Sequence, residues 1–206
     1  MSDGAVLAVV VLGFGAILVR RRSHATYVVT AQALLLGAVA LELAAEEGGG
    51  GLAVAATILI VRALAIPALL VLSRRRTPEP AIVAPATGIA TRLAVATAVA
   101  LLAAIVLPPL GIATPTAENG AVALLAIGIA TAAMRRPAQL QVLGVLVAET
   151  GVYLLALAVP GGLPALIELG ALLDLLLVVV VAFAFAGKIH ETVGSGDTDL
   201  LRRLRD

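Results

Sequence analysis

Ionisable side chains inside long apolar segments are the part of this sequence that could do chemistry. The four in question are Arg62, Glu149, Glu168 and Asp174. A charge at the centre of a bilayer costs roughly 2.5–3.5 kcal/mol on insertion scales, so such residues usually face the protein interior and find a partner. Burial favours the neutral form of a carboxyl group, whereas a nearby cation favours its charged form. The pattern therefore predicts a proton path. The alternative is a buried ion pair that only fixes helix packing.

Three of these residues are predicted to lie at one depth. At 1.5 Å per residue, Arg62, Glu149 and Asp174 each lie about 15 Å from the outer end of their apolar segments. Glu168 lies only about 6 Å in and could be an outer-edge residue. A short glycine-containing turn joins the segments of Glu149 and Asp174, so these helices should be antiparallel neighbours with facing carboxylates. Arginine does not release its proton near neutral pH, so Arg62 would modulate the path rather than carry protons.

Further polar residues could extend these contacts towards one face of the membrane. Gln32 in the second apolar segment and Gln141 at the start of the sixth are supporting candidates, although each is more often a simple interhelical contact. Arg92 and Glu42 lie near the ends of their segments. Long side chains readily extend to the interface, so we expect that of both residues.

The elements that position these residues follow from the composition. The chain has 206 residues, of which 61% are hydrophobic and 13% are charged. Soluble domains are about 45–50% apolar and about 25% charged, so this chain lacks the polar groups for a soluble, disordered or nucleic-acid-binding protein. The sequence predicts an all-α polytopic membrane helix bundle over residues 1–187 and a cytoplasmic C-terminal tail over 188–206. About seven transmembrane helices are predicted, at residues 4–19, 27–45, 52–72, 88–107, 117–134, 140–159 and 165–186.

The distribution of basic residues predicts the orientation of the chain. Twelve of the 14 follow the odd-numbered spans, at residues 20–22, 74–76, 135–136, 188, 202, 203 and 205. The positive-inside rule places this side in the cytoplasm, with the N-terminus outside and the C-terminus inside. The first span precedes its basic residues, the reverse of a cleavable signal, so we expect it to be retained. The protein is expected in the plasma (inner) membrane.

The absent residue types restrict the cofactors. The chain has no cysteine, which excludes disulfides, thiolate metal sites and iron–sulfur clusters on this chain. Its two histidines, His24 and His190, both lie beside predicted membrane edges. We therefore expect no metal site and no cofactor. Aromatic residues make up only 2% of the chain and give no support for a quinone site.

The C-terminal third resembles a known family. The pattern consists of a basic pair, a glycine, an intramembrane Glu with a small polar residue and Gly, then P-x-L-x-E-L-G-x-x-x-D. Its members here are Arg135, Arg136, Gly144, Glu149, Thr150, Gly151, Pro164, Glu168 and Asp174. This pattern resembles the hydrogenase-4 component E (HyfE) family, membrane subunits of complex I-like NiFe hydrogenase assemblies. The N-terminal half matches more loosely, through Gln32 and through Arg62 with Pro67. Thr150 and Arg62 stand where family members tend to have Asn and Lys.

The resemblance implies a non-catalytic accessory subunit of a complex I-related respiratory complex. Its partners would be antiporter-like membrane subunits and, through them, hydrogenase-type soluble subunits. The last helices are also distantly similar to the K-type subunit of complex I and the C subunit of multisubunit cation/proton antiporters. One alternative is a structural adapter in such a membrane arm, without its own proton path. A stand-alone secondary transporter ranks last, because such transporters usually contain an inverted repeat and none is evident here.

Overall fold

The computed structural model describes residues 2–19, 22–47, 50–76, 88–108, 111, 113–135, 138–159, 176 and 179. Throughout these residues the regular structure is helical, which confirms the all-α prediction. The six helices are α1 (Asp3–Leu18), α2 (Arg22–Glu47), α3 (Gly50–Arg76), α4 (Ile89–Val106), α5 (Pro115–Met134) and α6 (Ala138–Ala158). The predicted seventh span at 165–186 and the tail at 188–206 lie outside the described residues, apart from positions 176 and 179.

Four of the described helices are long and apolar enough to cross a membrane. Their candidate spans are His24–Glu46, Ile89–Val106, Pro115–Met134 and Leu140–Ala158. The segments Asp3–Leu18 and Gly50–Ala65 are shorter apolar helices. All six overlap the first six predicted spans, while α2 and α3 continue further into the polar flanks than hydropathy indicated. The ends of α2 and α3 contain charged residues, and the backbone hydrogen bonding of these two helices continues past the point where the apolar pattern stops.

The start of α5 shows how the sequence fixes a helix end. The Thr114 side chain accepts a hydrogen bond from the backbone N–H of Ala117, and Pro115 occupies the first turn. The Glu118 carboxylate reaches back and accepts from the backbone N–H of Ala113 at 3.1 Å. These bonds satisfy donors that a helix N-terminus otherwise leaves without partners, and the acidic side chain also suits the positive end of the helix dipole. The beginning of α5 is thereby fixed by local sequence.

Small residues bring α5 and α6 into backbone contact. A methyl group added at Gly144 would lie 2.5 Å from the backbone nitrogen of Ala132, and one added at Gly128 would overlap the backbone of Ala148. Each helix thus carries a glycine and an alanine four residues apart, the spacing that lets membrane helices approach closely. The pairing runs antiparallel, because Gly128 meets Ala148 while Ala132 meets Gly144. This contact fixes the turn of α6 from which the Glu149 side chain extends.

Helices α1, α2 and α4 pack against this hairpin, and α3 packs against α2. Helix α1 contacts α2, α4, α5 and α6, and α2 packs against both α3 and α6. The side chains that are fully buried between the helices include Val9 of α1, Leu36 of α2 and Leu124 of α5. Since α2 contacts both α3 and α6, those two helices lie near enough for a long side chain to bridge them.

Candidate functional site

A buried ion pair joins α3 to α6. Nη2 of Arg62 donates to Oε2 of Glu149 at 2.7 Å. Both residues lie in the middle of their helices, Arg62 about 18 Å along α3 from its first residue. The Arg62 side chain is only 3% exposed, whereas that of Glu149 is 15% exposed. Sequence reasoning placed both residues at one depth, and the structure brings them into direct contact.

An aromatic ring holds the arginine from a second side. The Arg62 guanidinium carbon lies 4.9 Å from the centre of the Tyr153 ring. Tyr153 follows Glu149 by four residues, so the two side chains share one face of α6. A guanidinium at this distance from an aromatic face gains a cation–π attraction, which is larger where water is excluded. Arg62 is therefore held between a carboxylate and a ring, both supplied by α6.

The neighbouring threonine leaves this pair undisturbed. Thr150 is 2% exposed, and its hydroxyl donates to the backbone carbonyl of Leu146 at 2.8 Å. That internal bond satisfies the hydroxyl within α6, a common solution for buried threonine in membrane helices. Thr150 consequently contributes packing and no charge next to Glu149.

The pair has a simple proton chemistry. Arginine stays protonated at all ordinary pH values, so a closed pair stabilises Glu149 in its ionised form. If the carboxyl group takes up a proton, it loses its attraction to Arg62, and the two side chains are free to separate. The contact thus links the protonation of one carboxyl group to the position of two side chains.

Gln32 forms a different interhelical contact. Its side chain is fully buried, and Nε2 donates to the backbone carbonyl of Val9 on α1 at 3.0 Å. Gly13, one turn further along α1, leaves room for the amide, since a methyl group there would lie 3.2 Å from Nε2. Oε1 of Gln32 has no hydrogen-bond partner within the described part of the chain. Gln32 therefore links α1 to α2, and it does not contact the ion pair directly.

The end of α1 is held by two arginines from other helices. Nη2 of Arg135 donates to the backbone carbonyls of Ile17 at 2.7 Å and Val19 at 3.0 Å. Nη1 of Arg92 donates to the same Ile17 oxygen at 3.3 Å. Gln141 in turn donates from Nε2 to the carbonyl of Arg135 at 2.8 Å. We call Arg92 and Arg135, with the Ile17 carbonyl that they share, the arginine cluster.

The two arginines of this cluster disfavour each other's charge. Burial and, to a smaller degree, the charge of Arg92 lower the pKa of Arg135 from its ordinary value to about 10. Arg135 nevertheless stays protonated at neutral pH. The cluster therefore holds two like charges in contact with one carbonyl oxygen.

The cluster departs from the sequence-based expectation. We expected Arg92 to extend to the interface, but its side chain is only 2% exposed and bonds to α1. Arg135 was interpreted as a marker of membrane topology and as part of the HyfE-like pattern, and the structure adds that its side chain is only 8% exposed. The reason lies at Val19, which ends α1 in an extended conformation without a left-handed capping residue. The last carbonyls of α1 therefore need outside donors, and arginines at the ends of α4 and α5 supply them.

Two predicted path residues fall outside this geometry. Glu168 and Asp174 lie outside the described residues, so the facing of Glu149 and Asp174 stays a prediction. Glu42 lies exposed on α2, and its extension to the interface stays a prediction. Gln141 lies about 12 Å along α6 from Glu149, and its side chain donates to the backbone carbonyl of Arg135.

The apolar helices and the buried ion pair are those of a helical membrane protein. No protein-family model matches the chain. The Mycobacterium tuberculosis protein named "Uncharacterized protein Rv0085" is 35% identical over 80 residues. The match covers 39% of this chain and 36% of that protein, so the chain spans about a third of the length of this relative. No solved structure matches.

Proposed function

We propose that this protein is an accessory integral membrane subunit of a complex I-related, hydrogenase-4-like respiratory complex, and that Glu149 takes part in proton translocation. The protein would lie in the plasma membrane with seven spans, the N-terminus outside and the C-terminus in the cytoplasm. The resemblance of the C-terminal third to the HyfE family supports the kind of complex. The observation that carries the proton role is the Arg62–Glu149 pair in the middle of α3 and α6.

The unequal burial of the pair supports this role. The Arg62 side chain is only 3% exposed, whereas 15% of the Glu149 side chain is accessible. A proton could therefore approach the carboxylate from its open side without first displacing the arginine. Neutralised Glu149 would then release Arg62, and re-ionisation would restore the pair. Onward transfer would pass to Asp174 and Glu168, the further carboxylates predicted for the path.

The same contact supports a second candidate, a structural adapter. Arg62 is held at once by the Glu149 carboxylate and the Tyr153 ring, which is a stable way to fasten α3 to α6. In that case the charges would only assemble the membrane arm of such a complex or of a multisubunit cation/proton antiporter. Removing the charge of Glu149 distinguishes the two candidates.

The decisive experiment is Glu149→Gln in the native host, with Glu42→Gln as the matched control. Glu42 is exposed on α2, so its substitution removes one carboxylate from a helix without breaking a described ion pair. Assembly is followed by native gel electrophoresis of membranes, and pumping by a pH-sensitive dye in inverted membrane vesicles. If Glu149 acts as a proton relay, the complex should still assemble, and its proton pumping should fall at least tenfold in Glu149→Gln only. An assembled complex with normal pumping refutes the relay and leaves the adapter.

Membership of a large complex is tested separately. The affinity-tagged chain is isolated in mild detergent, and its partners are identified by mass spectrometry. Antiporter-like membrane subunits and hydrogenase-type soluble subunits are the expected partners. Recovery of the chain without other subunits, from cells that carry a functional wild-type gene, would refute both candidates.

A further inference from the structure

The Tyr153 ring holds Arg62 by an attraction that does not depend on the charge of Glu149. The ion pair needs an ionised carboxylate, so it weakens when Glu149 takes up a proton. The attraction between a guanidinium and an aromatic face comes from the quadrupole of the ring, which is the same in both protonation states of Glu149. The guanidinium carbon already lies 4.9 Å from the ring centre while the pair is closed, within the range of this attraction.

Burial restricts where the Arg62 guanidinium can move when the pair opens. Its side chain is 3% exposed, and the residue lies about 18 Å from the first residue of α3 and about 21 Å from the last. Both distances exceed the length of an extended arginine side chain, so the guanidinium does not reach either end of α3. Opening of the ion pair therefore leaves the arginine inside the bundle, next to the Tyr153 ring.

The carboxylate and the ring are carried by one firmly packed stretch of α6. Glu149 and Tyr153 are four residues apart on the same face of the helix, and Tyr153 is only 4% exposed. Gly151 lies between them, and a methyl group added there would lie 2.6 Å from the backbone carbonyl oxygen of Ala121 on α5. The close packing on α5 fixes the position of both side chains relative to Arg62.

We propose that Tyr153 is a positioning residue that retains Arg62 beside Glu149 while the carboxyl group is protonated. The guanidinium then moves towards the ring and stays within the site. A cation kept near the protonated carboxyl group favours its renewed ionisation, so the proton passes on and the ion pair forms again. The role in proton transfer rests on the proposed function of Glu149, whereas retention of the arginine is a property of the chain itself.

The aromatic composition of the chain gives a direct probe of the ring. The chain has two tyrosines and no tryptophan, and Tyr27 is 67% exposed. In a Tyr27→Phe background, Tyr153 is the one tyrosine, and near-ultraviolet circular dichroism of the purified full chain in mild detergent reports its surroundings. Glu149→Gln in this background represents the protonated carboxyl group. The reference is Arg62→Gln/Glu149→Gln, which has no charge at the pair and differs from Glu149→Gln only in the arginine.

The spectra test the retention of the arginine. The proposal predicts that Glu149→Gln keeps the tyrosine signal of the background protein and that the double variant loses it. A Glu149→Gln spectrum equal to that of the double variant would mean that Arg62 leaves the ring, and it would overturn the proposal. Equal signals in all three proteins would also overturn it, because the ring would then not sense the arginine.

Proton pumping by the assembled complex tests the role of this retention. Tyr153→Leu removes the ring, and Tyr27→Leu removes the exposed tyrosine as the matched control. We expect pumping to fall about fivefold in Tyr153→Leu, within the range that a cation–π attraction supplies, and to stay unchanged in the control. Tyr153→Phe restores a ring and should recover most of the lost pumping.

The outcomes separate the role of the ring from the function of Glu149. Normal pumping in Tyr153→Leu, with a tenfold loss in Glu149→Gln, overturns the role of the ring and leaves the relay intact. Normal pumping in Glu149→Gln refutes the relay, and with it any part of the ring in proton transfer. Equal losses in Tyr153→Phe and Tyr153→Leu assign the effect to the hydroxyl group and overturn the proposal. If the complex does not assemble with Tyr153→Leu, the spectra of the isolated chain decide.

Discussion

Removal of Arg62 is expected to lower the free energy of unfolding substantially. The Arg62→Gln variant leaves the Glu149 carboxylate in a largely apolar site without its cation. Breaking a buried ion pair from one side costs about 3–5 kcal/mol, because an uncompensated charge stays behind. Glu149 is 15% exposed and therefore not fully buried, so we expect the lower end of this range, about 3 kcal/mol. Loss of the stacking on Tyr153 adds to the destabilisation.

A double-mutant cycle isolates the pair from the other effects of each substitution. Arg62→Gln, Glu149→Gln and the double variant are compared with wild type by detergent-induced unfolding in mixed micelles. Far-UV circular dichroism is the suitable signal, since the chain has no tryptophan. The double variant carries no charge at the site, so it should lose less stability than the sum of the single variants. The expected coupling free energy is about 2 kcal/mol, within the range for charge-assisted hydrogen bonds.

The cycle can refute the assignment directly. Additive single substitutions, within about 0.5 kcal/mol, would mean that Arg62 and Glu149 contribute no pairwise stabilisation. Glu42→Gln, on an exposed position of α2, should stay within about 0.5 kcal/mol of wild type. A comparable loss in Glu42→Gln would attribute the effect to carboxylate removal in general.

Three further substitutions test the remaining features. Gly128→Ala should destabilise the fold by about 1–3 kcal/mol in the same unfolding assay, because the added methyl overlaps the backbone of Ala148. Arg135→Gln should cost about 1.5–3 kcal/mol through loss of the charge-assisted bonds to the end of α1, and hydrogen exchange should show that end opening first. Thr114→Ala should cost about 1 kcal/mol through loss of the α5 cap, with faster amide exchange confined to the first turn of α5.

Each of these has a control within the chain. Gly4→Ala adds the same methyl group where no atom lies within 4 Å, so it should not reduce stability. Equal losses in Gly4→Ala and Gly128→Ala would contradict the close α5–α6 contact. Faster exchange at the end of α1 in Thr114→Ala, or its absence in Arg135→Gln, would contradict the assigned caps.

Hydropathy predicted the helical class, and helix rise predicted that Arg62 and Glu149 lie near the middle of their helices. The six described helices overlap the first six predicted spans, and Arg62 and Glu149 lie mid-helix as expected. A buried ion pair among Arg62, Glu149 and Asp174 was one of the predicted alternatives, but the sequence did not indicate that Arg62 pairs with Glu149. Periodicity indicates the depth of a residue but not which helices become neighbours. Chain order therefore favoured Asp174, on the adjacent predicted helix, as the residue that faces Glu149.

The arginine cluster shows a second limit of sequence reasoning. Under the positive-inside rule, a basic residue beside an apolar segment is interpreted as a solvated charge on the cytoplasmic side. The Arg135 side chain instead donates hydrogen bonds to backbone carbonyl oxygens at the end of α1, more than a hundred residues earlier in the chain. The available signal was the end of α1 itself, where Val19 offers no left-handed cap for the final carbonyls.

The distance in sequence between Arg62 and Glu149 has a consequence for biogenesis. The two are 87 residues apart, so α3 leaves the ribosome well before its partner on α6 exists. If α3 spans the membrane as predicted, the arginine is inserted during that interval without the carboxylate, at the cost that membrane-centred charges carry. The α5–α6 hairpin, by contrast, is formed by neighbouring segments and can close as soon as both are made. Closure of the ion pair therefore follows synthesis of the intervening helices, and a chain truncated before Glu149 would leave Arg62 without this carboxylate.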